Sequence, residues 1–456
     1  MRLSPDAHIH LIAASGTAMG SLAGMLRERG YRVTGSDASV YPPMSTMLQG
    51  LGIDLYEGFA TEHLQPAPDL VVVGNAVSRG NPEVEAVLAA KIPYLSLPEA
   101  LRDFFIRGKR SVVVTGTHGK TTTTALAAHL FGAAGLDPSF LVGGLPQGAD
   151  RSYHLGQGDY FIIEGDEYDT AFFDKRAKFI HYLPETLVLN NLEFDHGDIY
   201  ADISDIQKQF HHLIRTMSSK STIVCPISDK EIKEVLDMGL WSQLIQYGKK
   251  DSLSNYYKKI KSDYSSTLFS IEGEEVILEW DMFGEHNIQN AMSSILSTKN
   301  LGISPTLSIE ALKNFSGVSR RQEVLFNKKG ILFIDDFAHH PSAIETTLRG
   351  LREKKKSMRI IALIELRSNT MQSGMHDKHL KESVKNADLI YWKGNNKDQI
   401  KSLISSQPSK AQQITSVNET AMHINKIIKK GDVIISMSNG NFEGLTDKIL
   451  KDLRKL

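Results

Sequence analysis

A short apolar strand running straight into a glycine turn, a lysine, hydroxyl residues and an alanine-rich helix leaves few folds open to a chain. Residues Val112-Val113-Val114-Thr115-Gly116-Thr117-His118-Gly119-Lys120-Thr121-Thr122-Thr123 stand in that order. An uninterrupted apolar strand of this kind belongs in a parallel sheet covered on both faces. The glycines let backbone N–H groups approach phosphates, and the helix N-terminus presents a partial positive charge. Gly116, Thr117, His118, Gly119, Lys120, Thr121 and Thr122 are therefore predicted to cradle a nucleoside triphosphate. Lys120 would reach the β and γ oxygens, and the Thr121 hydroxyl would sit on a magnesium ion. The common pattern G-x-x-x-x-G-K-[ST] would need glycine at 114, where this chain has Val114. The loop is a shortened G-T-x-G-K-T form.

A chain of 456 residues exceeds a single core, so several domains are expected. A net charge of −1 and a pI near 7.0 give no electrostatic footprint for nucleic acid. Lysines gather in the second half, but acids are interspersed among them, which reads as solvated surface. No apolar run is long enough to predict a membrane span. The first residues, Met1-Arg2-Leu3-Ser4-Pro5-Asp6, lack the profile of a signal peptide. A lone cysteine, Cys225, fits a reducing compartment, and the chain is expected in the cytoplasm.

Strands and helices alternate in three successive segments. The first opens with His8-Ile9-His10-Leu11-Ile12, then a turn at 13–20, a helix, and a second strand ending at Ser36-Asp37. That is a nucleotide-binding crossover in outline, although Gly16-x-x-x-Gly20 is not G-x-G-x-x-G and Ala13 stands where the first glycine would. The second segment begins beyond Arg107-Gly108-Lys109 with the phosphate loop. Its further strands end in Glu164-Gly165-Asp166-Glu167 and in Asn191-Leu192-Glu193-Phe194-Asp195-His196. The third follows Arg320-Arg321, with strands leading to Asp336, to Arg367 and to Ser438-Asn439. The expected class is α/β: a Rossmann-like domain over 1–107, a P-loop ATPase-type parallel sheet over 108–319, and a second Rossmann-like domain over 320–456.

Ligands of parallel sheets lie beyond the carboxyl ends of the strands. Lys120/Thr121, Glu164/Asp166/Glu167 and Asn191/His196 converge on one such edge. Magnesium takes hard oxygen ligands, so Thr121 and Glu164 suit one ion, and a second ion is expected near His196 and Glu164. Glu164 would otherwise serve as a helix cap or ion-pair partner. Arg320 is either an exposed hinge residue or a guanidinium fork for phosphate oxygens. Asn290, in His286-Asn287-x-x-Asn290, would read an adenine edge or cap a helix.

Taken together, Gly116-Thr-His-Gly-Lys-Thr-Thr, Glu164-x-Asp-Glu-Tyr-Asp, Asn191-Leu-Glu-Phe-Asp-His196, His286-Asn-x-x-Asn290, Arg320-Arg321 and Asp336-Phe-Ala-His-His-Pro341 resemble the Mur ligases over nearly the whole chain. These are ATP-dependent amide-forming enzymes of peptidoglycan metabolism. The resemblance implies ATP and Mg2+ as cofactors, with Lys120, Glu164, His196 and Arg320 in the chemistry. Asn290, Arg320 and Asp336 would contact ATP, while Thr121, Glu164 and His196 would hold magnesium. Gly16, Thr17, Met19 and Gly20 would hold the diphosphate of UDP-N-acetylmuramate, with Asp37 and Asn75 near its uridine or sugar. Arg367, Ser368, Asn369 and Asn439 would meet an incoming murein tripeptide. Further segments, such as Glu167-Tyr-Asp-Thr-Ala-Phe-Phe-Asp-Lys-Arg176 and Arg367-Ser-Asn-Thr370, resemble the member that adds a ready-made tripeptide. The alternatives are the member that adds L-alanine and, from another class, a non-catalytic nucleotide-sugar sensor. Ala13 and Gly165 depart from the family pattern, which has glycine and alanine there; Leu366 and Asn441 replace a proline and a glycine. Lys208 is the lysine nearest to the place where some relatives carry a carbamoylated one, and it reads as surface.

Overall fold

A computed structural model describes residues 3–40, 44–195, 197, 199–299 and 301–455, with the side chain of Asn369 also left undescribed. His196 therefore lies outside the described residues. The chain forms two compact units, each taken by itself below: Met1–Leu192, Ser204–Gln246 and Ser293–Ile303; and Glu193–Ile203, Tyr247–Met292 and Ser304–Leu456.

The first unit opens with strands β1 (His8–Ile12), β2 (Arg32–Asp37), β3 (Asp54–Glu57), β4 (Leu70–Val73) and β5 (Tyr94–Ser96). They pair in parallel in the order β3-β2-β1-β4-β5. The order reverses between β1 and β4, and the crevice at such a switch point is where open α/β sheets take ligands. The helix Thr17–Glu28 starts there, directly after β1. Ala13 takes a positive φ of 66°, the left-handed conformation that glycine adopts without strain. The turn thus keeps the backbone shape of a glycine turn although the residue has changed.

A second sheet in the same unit uses β6 (Arg110–Thr115), β7 (Ser139–Leu141), β8 (Tyr153–His154), β9 (Tyr160–Glu164), β12 (Pro184–Leu189), β13 (Thr222–Pro226) and β14 (Gln243–Tyr247), and its order is β14-β13-β12-β6-β9-β7-β8. The central strand β6 is apolar without alternation because both faces are covered: Val112, Val113 and Val114 are all buried. A hairpin, β10 (Asp169–Ala171) and β11 (Asp174–Ala177), leaves this sheet and carries Phe172 and Phe173 onto an apolar cluster made by Val73 of the first sheet with Val77 and, from the helix Pro82–Ala90, Val84 and Val87. Nothing in the periodicity announced that hairpin. The acidic strand also stops earlier than its apolar run suggested, at Glu164, so Asp166 and Glu167 lie on the turn beyond.

The second unit holds an antiparallel sheet of β15 (Asn255–Lys259), β16 (Ser266–Ile271) and β17 (Glu274–Glu279), which the sequence reading did not identify. Its larger sheet has β18 (Glu323–Lys328), β19 (Ile331–Asp336), β20 (Arg359–Leu366), β21 (Leu389–Gly394), β22 (Ala411–Gln413) and β23 (Asp432–Met437) in the order β18-β19-β23-β20-β21-β22. Five strands are parallel, and β18 is an antiparallel edge. Two apolar layers, one on each face, hold it: Ile344, Leu348 and Leu380 in one, Ile424, Leu445 and Ile449 in the other.

Candidate active site

The loop between β6 and the helix Lys120–Ala133 is set by one neighbour, Asn191, just past β12. Its side chain accepts the His118 N–H at 2.8 Å and donates to the His118 carbonyl at 3.1 Å, while its own carbonyl accepts the Thr117 N–H at 3.1 Å. Gly116 has a φ of 124°, and a Cβ there would stand 2.8 Å from the Asn191 carbonyl oxygen. Glycine is required at 116 on both counts. Gly119, the residue before the helix, has a φ of 80°, and the first helical turn carries no acidic residue. Its N–H groups and dipole thus suit an anion, with no carboxylate from the helix's own first turn in competition.

Lys120 begins that helix with a side chain folded back over the loop. Its ammonium donates to the Gly116 carbonyl at 2.8 Å and to Glu167 at 3.0 Å. Burial works against its charge, but Glu167, Asp166 and Glu164 outweigh burial and hold its pKa above the ordinary lysine value. Thr121 Oγ1 donates to Glu164 Oε2 at 3.0 Å, and the other Glu164 oxygen accepts the Gly143 N–H. A Cβ on Gly143 would come within 2.7 Å of Glu164, so a glycine faces the carboxylate there. The hydroxyl and carboxylate oxygens of Thr121 and Glu164 converge, which fits a hard divalent cation such as magnesium.

Behind them Lys178 is buried, 3.8 Å from Asp166, with Nζ 4.0 Å from the centre of the Tyr168 ring. Burial lowers its pKa, and Asp166 is the main group opposing that shift. Two lysines, Lys120 and Lys178, thus meet the three acids that end β9 and begin the turn after it. Gly143 and Lys178 were absent from the predicted site, whereas Glu167 and Asn191 were placed on its strand edge without a role of their own.

In the first sheet, Asp37 accepts the Ser15 N–H at 2.8 Å and so ties the end of β2 to the turn after β1. Gly16 and Thr17 are exposed at the start of the helix, which has no side-chain cap and no acid in its first turn. Asn75 is exposed just past β4. Gly20 and Met19 are buried instead; a Cβ on Gly20 would strike the Met44 sulfur at 2.2 Å, so its hydrogen makes room for Met44.

In the second unit, Arg320 is committed to its own sheet. Its Nε donates to Asp335 at 3.1 Å, and Nη2 donates to the carbonyls of Ser438 and Gly440 at 2.7 and 2.5 Å. Arg320 also takes a positive φ of 61°. Asp336 ends β19 buried and accepts the Ala338 N–H at 2.8 Å; burial raises its pKa to about 6. Asn290 is buried on the helix Glu285–Lys299. Arg367 lies against Gly440, where a Cβ would stand 2.1 Å from Nη1. Ser368 is half-buried, and the buried Oδ1 of Asn439 has no hydrogen-bond partner among the described residues. Arg367, Ser368 and Asn439 thus gather at the carboxyl ends of β20 and β23.

Residues 8–108 match the Mur ligase family catalytic domain, 114–298 the Mur ligase middle domain and 320–440 the Mur ligase glutamate ligase domain. The chain is 43% identical over 98% of its length, and 98% of the relative's, to UDP-N-acetylmuramate–L-alanyl-gamma-D-glutamyl-meso-2,6-diaminoheptandioate ligase of Escherichia coli (strain K12). It is 30% identical over 99% of its length, and 98% of the relative's, to UDP-N-acetylmuramate–L-alanine ligase of Syntrophomonas wolfei. A murein peptide ligase crystal structure from Psychrobacter arcticus superposes with a TM-score of 0.75 at 40% identity, covering 99% of both chains.

Proposed function

Because the chain belongs to the Mur ligase family, with three family domains in series, we propose that it joins the carboxylate of UDP-N-acetylmuramate to the amino group of L-alanyl-γ-D-glutamyl-meso-diaminopimelate at the expense of ATP. The observation that carries this reading is the phosphate loop pinned by Asn191, with Lys120, Thr121 and Glu164 gathered on one strand edge. Full-length similarity to a tripeptide-adding ligase, at 43% against 30% for an L-alanine-adding one, favours the tripeptide. The domain boundaries proposed with it fall at 107/108 and 319/320.

In the first step, a muramoyl carboxylate oxygen attacks the γ-phosphorus; the bond to the β–γ bridging oxygen breaks and ADP leaves. In the second, the peptide's alanine amine attacks the acyl phosphate carbonyl, loses a proton and displaces inorganic phosphate. Lys120 and the helix N-terminus at Gly119 stabilise the oxygens that gain charge as the phosphoryl group moves. Thr121 and Glu164, with His196 as a further candidate, would hold magnesium, which would supply positive charge against the triphosphate. Asn290, Arg320 and Asp336 are assigned to the nucleotide. Gly16, Thr17, Met19 and Gly20, the Asp37-braced turn and Asn75 are assigned to the nucleotide sugar. Arg367, Ser368, Asn369 and Asn439 are assigned to the peptide, and the unpartnered Asn439 Oδ1 supplies an acceptor for a peptide N–H.

Lys120→Ala tests the site. ADP release that depends on UDP-N-acetylmuramate and tripeptide should fall at least about a hundredfold; near-normal turnover would refute the assignment.

A further inference from the structure

We infer that Glu167 is a positioning residue for the phosphoryl-transfer step, aiming the Lys120 ammonium at the triphosphate. A lysine ammonium carries three N–H donors, and rotation about its last bond sweeps them round a cone. Here two directions are fixed, one by the Gly116 carbonyl at 2.8 Å and one by the Glu167 carboxylate at 3.0 Å. The third N–H has no protein partner among the described residues. With two of three tetrahedral directions fixed, the last is fixed as well. The lysine side chain is 13% exposed, so little room remains for it to choose another path.

Geometry sets Glu167 apart from its neighbours. Glu164 is held by Thr121 and Gly143, the arrangement suited to a cation. Asp166 faces Lys178. Glu167, 3% exposed at its side chain, is the acid that bonds Lys120. The three carboxylates of this turn therefore divide the work: one for the cation, one against the buried lysine, and one for the direction of Lys120. A carboxylate beside the triphosphate also repels it. Its presence there weakens nucleotide binding while improving the geometry of transfer.

That opposition gives a kinetic signature that a purely structural role lacks. Glu167→Ala should lower kcat at least about tenfold while leaving the KM for ATP unchanged or lower, because a repelling charge has gone. Glu167→Gln keeps an oxygen that accepts from Lys120 at nearly the same shape, and should recover part of the lost kcat. If the alanine variant does not fold, the glutamine variant carries the test: a modest kcat loss with a lower KM for ATP. A Glu167→Ala kcat within twofold of wild type overturns the inference, as does a raised KM for ATP in a folded Glu167→Gln protein. The inference rests on the ligase reading. Absence of UDP-N-acetylmuramate-dependent ADP release by the wild-type protein would defeat that reading, whereas wild-type turnover matched by Glu167→Ala defeats only the role of Glu167.

Discussion

Asp336 shows what a single enclosed side chain does to this molecule. Burial raises its folded pKa to about 6 from the ordinary 3.8, with Arg321 too weak a counterweight to reverse that. The folded protein then binds the proton more tightly than the unfolded chain does. The resulting stability is fully present below about pH 4, declines as pH rises, and is gone above about pH 6. A shift of this size is worth about 3 kcal/mol. Asp336→Asn removes the titrating group while keeping an oxygen for the Ala338 N–H. The difference in denaturant stability between wild type and variant should therefore move against wild type by about 2–3 kcal/mol between pH 4 and pH 7. Parallel stability curves across that range would contradict the account. Asp336 was legible in the sequence because it ends an apolar strand beside a conspicuous His-His-Pro turn. Its enclosure was not, because β23, which pairs Met437 against it, comes from about a hundred positions further along the chain.

Elements of this fold meet at glycines whose reasons differ, and the sequence separates them poorly. Gly116 answers to backbone conformation and to Asn191, 75 positions further along the chain; Gly20 answers to Met44. Gly165 is the sharpest instance. A Cβ there would stand 2.6 Å from Thr115 Cγ2 and 2.9 Å from Phe179 Cβ and Val113 Cγ1, all held in the packed layer behind β6 and β9. An alanine at this place, as the family pattern would have it, does not fit this chain. Gly165→Ala should destabilise the protein by about 1–3 kcal/mol through overpacking and reduce ATP-dependent turnover by displacing Glu164. Unchanged melting temperature and activity would show that β6 and β9 can separate freely. The phosphate loop itself was legible because its residues are contiguous, whereas Gly143, Asn191 and Glu167 complete it across 20 to 75 residues of chain. The β10–β11 hairpin was hidden because its phenylalanines pack outside the sheet that precedes them, so no alternation marks it.

At the scale of the molecule, three α/β domains follow one another along the chain, and each carries polar turns at the carboxyl ends of its parallel strands. This rhythm was the most legible feature of the sequence, since repeated apolar runs ending in polar turns need no knowledge of long-range contacts. The small antiparallel sheet β15–β17 was missed because it lies between those repeats and shares none of their motifs. The central claim is that the whole chain is a tripeptide-adding amide ligase. Mass spectrometry of reactions containing ATP, UDP-N-acetylmuramate and either L-alanyl-γ-D-glutamyl-meso-diaminopimelate or L-alanine tests it most directly. The account predicts UDP-N-acetylmuramoyl-tripeptide with one ADP and one phosphate released per product, and little or no L-alanine adduct. Preferential formation of the L-alanine adduct, or ATP binding with no amide product from either amine, would contradict it.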